Sequence, residues 1–522
     1  MIGCAIVQRM KLKYTIRDFC RVLAIVILTI FLVLTDGNPV RNAEAQGGRW
    51  SSPKVMPGFD TNSWPPILIS DQYGIVHAFT DQWLGNENEG RLRAIVYNQW
   101  TLERGWTNPI DILLSPSKEA RLTGVHLDDK GIFHLVFWGG DNTDAGIYYS
   151  RADSINAYSV TAWEYPLLVA ENAGDPEGAV LVEDDQGNLL IVYHGEIYGN
   201  GVYVIKSLDG GVTWSSPVQI FLGKPDAPLV AELQVIRSRS GWLHAVWNLY
   251  NGAGQGRGVY YSRSLDGFEW SDPVPLAVTP EGLGVRDITI IEHGDTILVT
   301  YIMPRSPSPK FTLRSSIDDG LTWRDPSIIF SRHVGANGPA SLVVDGNDGL
   351  HIFFGQRISG SPDIHGMWHS NWIDRRWTEP EAVVKGPSVS DPIGDKSFDP
   401  FAASAVVSQG NVVLVTWRTD PGARGNGVWY SYKLLDIPAS PVSSPVTQPI
   451  PDPASIPVPT NTNSLLIDGS TEDPGTDRPL PVDPYSPSVV LNTNILMAIG
   501  VVPAIILVLA LVVIKIRSNR SS

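Results

Sequence analysis

Between about residue 50 and residue 436 the apolar positions fall in short runs separated by Gly, Asp, Asn and Pro, with no sustained 3.6-residue period. Such punctuation predicts strands and tight turns rather than helices. One run follows a Gly turn seven times: GIVHAF from Gly74, GIFHLVFW from Gly131, GNLLIVYH from Gly187, GWLHAVW from Gly241, GDTILVTY from Gly294, GLHIFF from Gly349 and GNVVLVTW from Gly410. A second run resembles GVYYS, at Gly146, Gly201, Gly258 and Gly427. A Trp-x-x-Pro segment recurs at Trp50, Trp106, Trp163, Trp214, Trp270, Trp323 and Trp377, 51 to 57 residues apart.

Self-similarity at this period is the mark of a repeat architecture, and each unit reads as four strands, A to D, with Trp-x-x-Pro as the outer strand D. The last unit, from Phe398 to Leu435, lacks that segment, whereas the first such segment, at Trp50, has no strands A to C before it. Two incomplete ends make one complete blade if the chain closes on itself, which also removes the exposed sheet edges. The prediction is an all-β, seven-bladed β-propeller closed by an N-terminal outer strand, over residues 46–436.

The two ends depart from this pattern. Residues 1–45 start basic (Arg9, Lys11, Lys13, Arg17, Arg21), run apolar from Val22 to Leu34 and reach Ala43-Glu44-Ala45, as a signal peptide does. An uncleaved anchor is the alternative, but that run is short for a bilayer. Residues 437–490 are rich in Pro, Ser, Thr and Asp, which predicts an extended stalk. Ile495 to Ile514 carries no charge and is followed by Lys515, Arg517 and Arg520, so one C-terminal transmembrane helix is predicted over 491–516, with a cytoplasmic tail at 517–522. The predicted location is the cell membrane, single-pass, with the propeller outside.

Composition changes the picture in two respects. Both cysteines, Cys4 and Cys20, lie in the predicted leader, so no disulfide or thiolate metal site is expected in the body. The net charge of −15 argues against nucleic acid as a partner.

In a propeller the start of strand A and the end of strand B share one face, opposite the C–D turns. Before or on strand A stand Arg121, Glu177, Glu232, Arg286, Asp287, Asn337 and Asp399; after strand B stand Trp138, Asp141, His194, Glu196, Trp247, Asn248, Arg305, Gln356, Arg357, Trp417, Arg418 and Asp420. Polar groups interleaved with tryptophans suit sugars, whose hydroxyls take bidentate partners and whose ring faces lie on aromatics. A glycan or glycoprotein ligand is expected. Arg121, Arg286, Asp287, His194, Trp247, Arg357, Trp417 and Arg418 are the candidate ligand-binding residues. If the protein is an enzyme, Glu177, Glu232 and Asp399 are the candidate acid/base groups, and Tyr193 is the candidate nucleophile, although a strand aromatic packed between blades fits it better. His77, His134, His244 and His351 share one repeat position, which points to packing or hydrogen bonding; His365 and His369 have zinc-helix spacing but lie in a strand segment. No metal or cofactor is expected.

Two C–D turns read S-x-D-x-G-x-T-W, Ser207 to Trp214 and Ser316 to Trp323, and a shorter copy runs from Ser264 to Trp270. Here Asp caps backbone amides and Gly takes a positive φ. These turns are similar to Asp-boxes, or BNR repeats, and over roughly residues 49–436 the chain resembles the sialidase-like propeller superfamily. In that family the Asp-boxes lie on the face away from the active site. The resemblance implies, for catalytic members, three arginines gripping a sialate carboxylate, a tyrosine nucleophile polarised by a glutamate, and an aspartate acid/base. Two features depart from it. The first inner strand, where the family has an R-I-P arginine, reads Trp64-Pro65-Pro66-Ile67, and seven units are counted where those enzymes have six. The reading is therefore a membrane-anchored, sialidase-like propeller that recognises glycans without catalysis; the alternative is an exo-acting glycosidase of sialidase type.

Overall fold

A computed structural model describes residues 48–59, 63–84, 92–115, 119–140, 145–171, 178–279, 284–304, 308–387, 398–419 and 427–443. The leader, the stalk beyond residue 443, the transmembrane helix and the tail of the sequence reading lie outside the described residues. Among the described residues no helix is long and apolar enough to cross a membrane.

The described chain is all-β apart from two short 3-10 turns, Ser154–Asn156 and Val160–Ala162. Its strands form seven antiparallel sheets. We number the blades 1 to 7 by their inner strands: Ile67–Ser70, Ala120–Leu127, Ala179–Glu183, Leu229–Arg237, Arg286–His293, Ser341–Val344 and Phe401–Ser408. Blade 4 shows the plan in full, with Leu229–Arg237, Leu243–Tyr250, Gly256–Ser264 and Val274–Val278 paired in that order. Each inner strand contacts those of the blades before and after it, and blade 1 meets blade 7.

The ring closes as the sequence predicts. Lys54–Val55 pairs antiparallel with the third strand of blade 7, Lys54 opposite Tyr430 and Val55 opposite Trp429, and Trp50 bridges to Lys433. One expectation is corrected. The Trp-x-x-Pro segment is not itself the outer strand, because the main outer strand starts after its proline, as at Val218–Leu222 and Val274–Val278. Proline cannot donate to a ladder, so it ends the short tryptophan pairing and the strand resumes beyond it.

Seven hydrophobic clusters fill the contacts between adjacent blades. Central strands are covered on both faces, so their side chains are buried without alternation: all seven residues of Leu189–Gly195 are buried. Three tryptophans of the repeat pack edge-on against a tyrosine of the preceding blade, Trp214 on Tyr149 at 5.2 Å, Trp323 on Tyr261 at 4.8 Å and Trp106 on Tyr430 at 5.9 Å.

The repeated histidines belong to the same scaffold. His77, His134 and His244 hydrogen-bond through Nδ1 to Tyr97, Tyr149 and Tyr261 at 2.6 to 2.7 Å, and His351 meets His369 at 2.9 Å. Burial lowers the pKa of His134 and His244 to about 4, so both are neutral at physiological pH. The tyrosine hydroxyls continue to the next blade, Tyr149 donating to the Gly210 carbonyl and Tyr261 to that of Asp319, both at 3.4 Å. Those carbonyls belong to Asp-box turns, in which Asp209 Oδ1 accepts from Thr213 N at 2.8 Å and Ser207 Oγ accepts from Gly211 N at 2.8 Å. The Asp-boxes thus tie blade to blade.

Candidate functional site

Every inner strand starts at the same end of its blade, so the starts converge on the axis. In blades 2, 4, 5 and 7 the inner strand slips register there, between Leu122 and Gly124, Ala231 and Gln234, Arg286 and Thr289, and Phe401 and Ser404. A bulge inserts a residue and re-aims its side chain. In three blades the inserted residue is left-handed: Glu232 (φ 56°), Asp287 (φ 60°) and Ala402 (φ 53°). Positive φ in a non-glycine residue costs on the order of 1 kcal/mol and persists where the surroundings enforce it.

These starts surround a cavity of about 1000 Å³ that described residues of six blades line. Blade 1 contributes Trp64, Asp81 and Arg93, blade 2 Arg121, blade 4 Glu232, blade 5 Arg286 and Asp287, blade 6 Asn337 and Arg357, and the lead-in to blade 7 Asp399. A side chamber of about 660 Å³, with His194 and Tyr250, shares Glu232 and Arg286 with it, so the two adjoin.

The charged groups are paired in chains. Arg93 meets Asp81 at 2.5 Å and Glu119 at 3.9 Å, and Glu119 holds Arg121 at 2.8 Å. Arg286 lies 3.3 Å from Asp287. Asp399 accepts from Asn337 Nδ2 at 2.6 Å, pairs with His365 Nδ1 at 2.7 Å and has Arg357 at 3.6 Å. Glu232 accepts from the Tyr250 hydroxyl at 2.5 Å and from Asn248 Nδ2 at 3.4 Å.

Burial raises the pKa of three of these carboxyls. For Glu232 the neighbouring Asp287 adds to the effect; for Asp287 and Asp81 the adjoining Arg286 and Arg93 oppose it. Burial, followed by the Glu232 charge, also holds the Tyr250 phenol well above the usual tyrosine range.

Of the residues singled out from the sequence, the cavity brings together Arg121, Glu232, Arg286, Asp287, Arg357 and Asp399. Others are placed elsewhere. Trp247 and Trp417 are 0% and 1% exposed and lie in the hydrophobic clusters between blades 3 and 4 and between blades 6 and 7, so neither can receive a ligand. Both sit on central strands covered on both faces. Arg418 is buried below the cavity wall, its guanidinium over the Trp64 ring at 4.9 Å and the Phe401 ring at 5.5 Å. His194 is buried, hydrogen-bonds Asn200 and faces the side chamber rather than the axis. Tyr193 is fully buried between blades 2 and 3. Glu177 lies outside the described residues.

No protein-family model matches the sequence, and no curated protein sequence matches it. Solved structures do. They include a protein of unknown function from Dyadobacter fermentans (14% identity, covering 74% of this chain and 99% of that one, TM-score 0.42). They also include an ulvan lyase from a new family of polysaccharide lyases, bound to -[GlcA(1-4)Rha3S]- (13% identity, 73% and 96% coverage, TM-score 0.48). A third is the NanB sialidase from Streptococcus pneumoniae (12% identity, 73% and 70% coverage, TM-score 0.42). The fold is a seven-bladed β-propeller. The likeness is one of fold, and the cavity's own residues must carry the chemistry.

Four of those residues were not singled out from the sequence. Asp81 and Arg93 come from the long hairpin of blade 1, Val76–Leu84 and Leu92–Thr101, where Asp81 follows HAFT as Trp138 follows HLVF. Asp81 lies two residues beyond the end of the GIVHAF repeat, at the position that Trp138 holds in blade 2. Tyr250 lies three residues beyond Trp247, where its strand leaves the core. In the sequence Trp64 marks only the place where the family has an arginine.

Proposed function

We propose that the protein is a membrane-anchored, extracellular glycan-recognition propeller whose axial cavity takes an acidic sugar. The observation that carries this reading is the convergence of Arg93, Arg121, Arg286 and Arg357 in one cavity of a chain whose net charge is −15. Arg286 and Arg357 leave 51% and 44% of their side chains accessible, so their guanidinium groups can offer a carboxylate paired donors. Glu232 and Asp287 are pushed toward their neutral forms, which lessens their repulsion of an anion. Export and anchoring rest on the leader-like start and on the uncharged stretch from Ile495 to Ile514. Protease shaving of intact cells tests them, and loss of the propeller from the cell surface is expected.

A second reading, an exo-acting glycosidase of sialidase type, is favoured by the Tyr250–Glu232 hydrogen bond beside raised carboxyls. A tyrosine held by a glutamate is what the resemblance implies for catalytic members, and a carboxyl with a raised pKa suits general acid/base work. A glycan array separates binding from its absence: the double variant Arg286→Ala, Glu232→Ala should lose acidic glycans while staying folded. Fluorogenic sialosides and a panel of other glycosides separate recognition from cleavage. Turnover by the wild type that Glu232→Gln abolishes would replace the first reading with the second.

A further inference from the structure

Among the described residues Trp64 is the one tryptophan that lines the axial cavity, and it is 51% exposed. An indole has two faces. The Arg418 guanidinium, itself buried, covers one of them at 4.9 Å, and Phe401 abuts the ring at 5.7 Å and 81°. The exposed face is therefore the other one. The backbone is fixed as well: Pro65 and Pro66 follow at once, and the Trp64 carbonyl accepts from Thr80 Oγ1 at 3.4 Å. A large aromatic held in place before binding loses little freedom when a ring lies on it.

We propose that Trp64 is the platform for a carboxylate-bearing pyranose, which lies with an uninterrupted C–H face on the indole and turns its acid group across the axis toward blade 5. This rests on the reading of the cavity as an acidic-glycan site and adds where the ring lies. The direction follows from the ring order, which sets blades 4 and 5 across from blade 1. Arg418 is sequestered beneath the indole, whereas half of the Arg286 side chain is accessible. Sugars whose axial hydroxyls interrupt the stacked face are disfavoured, and the same acid sugar without its carboxylate loses the blade 5 contact.

The test uses the full-length protein in detergent and isothermal titration calorimetry. The probes are 3′-sialyllactose and cellobiouronic acid, with lactose and cellobiose as their neutral counterparts. Wild type is expected to bind at least one acidic probe in preference to its counterpart. Trp64→Leu should weaken that binding roughly tenfold, whereas Trp64→Phe, which restores a ring face, stays within about threefold of wild type. Arg286→Ala should remove the preference for the acid. Unchanged binding in Trp64→Leu, or equal loss in the Leu and Phe variants, overturns the platform and leaves the acidic-glycan reading standing. A wild type that binds neither acidic probe, or binds them no better than the neutral sugars, overturns that reading and the platform with it.

Discussion

Glu232 combines a left-handed backbone, a buried carboxyl with a raised pKa and a hydrogen bond from Tyr250. A carboxyl whose folded pKa lies above its unfolded value contributes stability below the unfolded pKa and loses it as pH rises through the folded one. Glu232→Gln should therefore raise the thermal midpoint at pH 7 to 8, by roughly 1–3 °C, with the gain fading toward pH 4. Differential scanning calorimetry of both proteins across that range checks this, and a gain that grows on acidification would contradict it. Why some site residues were legible and others not is also visible at this scale. Arg286 and Glu232 sit at strand starts, where the repeat marks the axial end. Trp247 and Trp417 occupy central strands, where an aromatic next to polar residues reads as a sugar platform although adjacent blades cover both faces. The bulges that aim Glu232 and Asp287 leave no mark in composition, because a left-handed Glu or Asp is set by its neighbours.

Among the elements, the Asp-box turn was legible as a hairpin, and its contact with the preceding blade was not. Gly320 has φ 80°, and a Cβ there would stand 1.7 Å from the Tyr261 hydroxyl and 2.4 Å from its Cζ. Gly294, in an A–B turn, has φ 61° and open space around it. Gly320→Ala should destabilise by about 2–4 kcal/mol, through backbone conformation plus overpacking. Gly294→Ala carries the conformational term alone, about 1 kcal/mol. Chemical denaturation of the two variants measures the difference, and equal losses would mean that the Asp-box glycine is only a turn residue. The outer strands show the opposite case: Trp-x-x-Pro gave the repeat its count, yet the proline within it moves the main strand beyond the motif.

The count of seven was legible because the incomplete units at the two ends of the body complement each other, a topological clue that no single blade carries. Closure also fastens two blades. Trp50 packs edge-on against Phe353 and His369 of blade 6 at 5.7 and 5.3 Å. Glu381 of the same blade receives Trp50 Nε1 at 3.1 Å, His369 Nδ1 at 2.8 Å and Lys433 Nζ at 2.7 Å. The hydrogen bond from His369, followed by that from Lys433, lowers the Glu381 pKa to about 2. That contribution is complete above the ordinary glutamate range and is lost as pH falls from there to about 2. Deleting residues 48–56 should lower the thermal midpoint at neutral pH by roughly 5–10 °C and expose Gly427–Leu434 as a free edge. Light scattering should then show concentration-dependent association.

An odd number of sheets around one axis has a consequence for whatever enters. In a rosette of six or eight, each petal faces its own counterpart, so a guest turned by half a revolution meets similar surroundings. With seven there is no half-turn symmetry: blade 1 stands opposite the seam between two petals, one bearing Glu232 and the other Arg286. A guest that reverses itself in this well exchanges its acidic for its apolar side against unlike walls, so the residues on those walls select one way round.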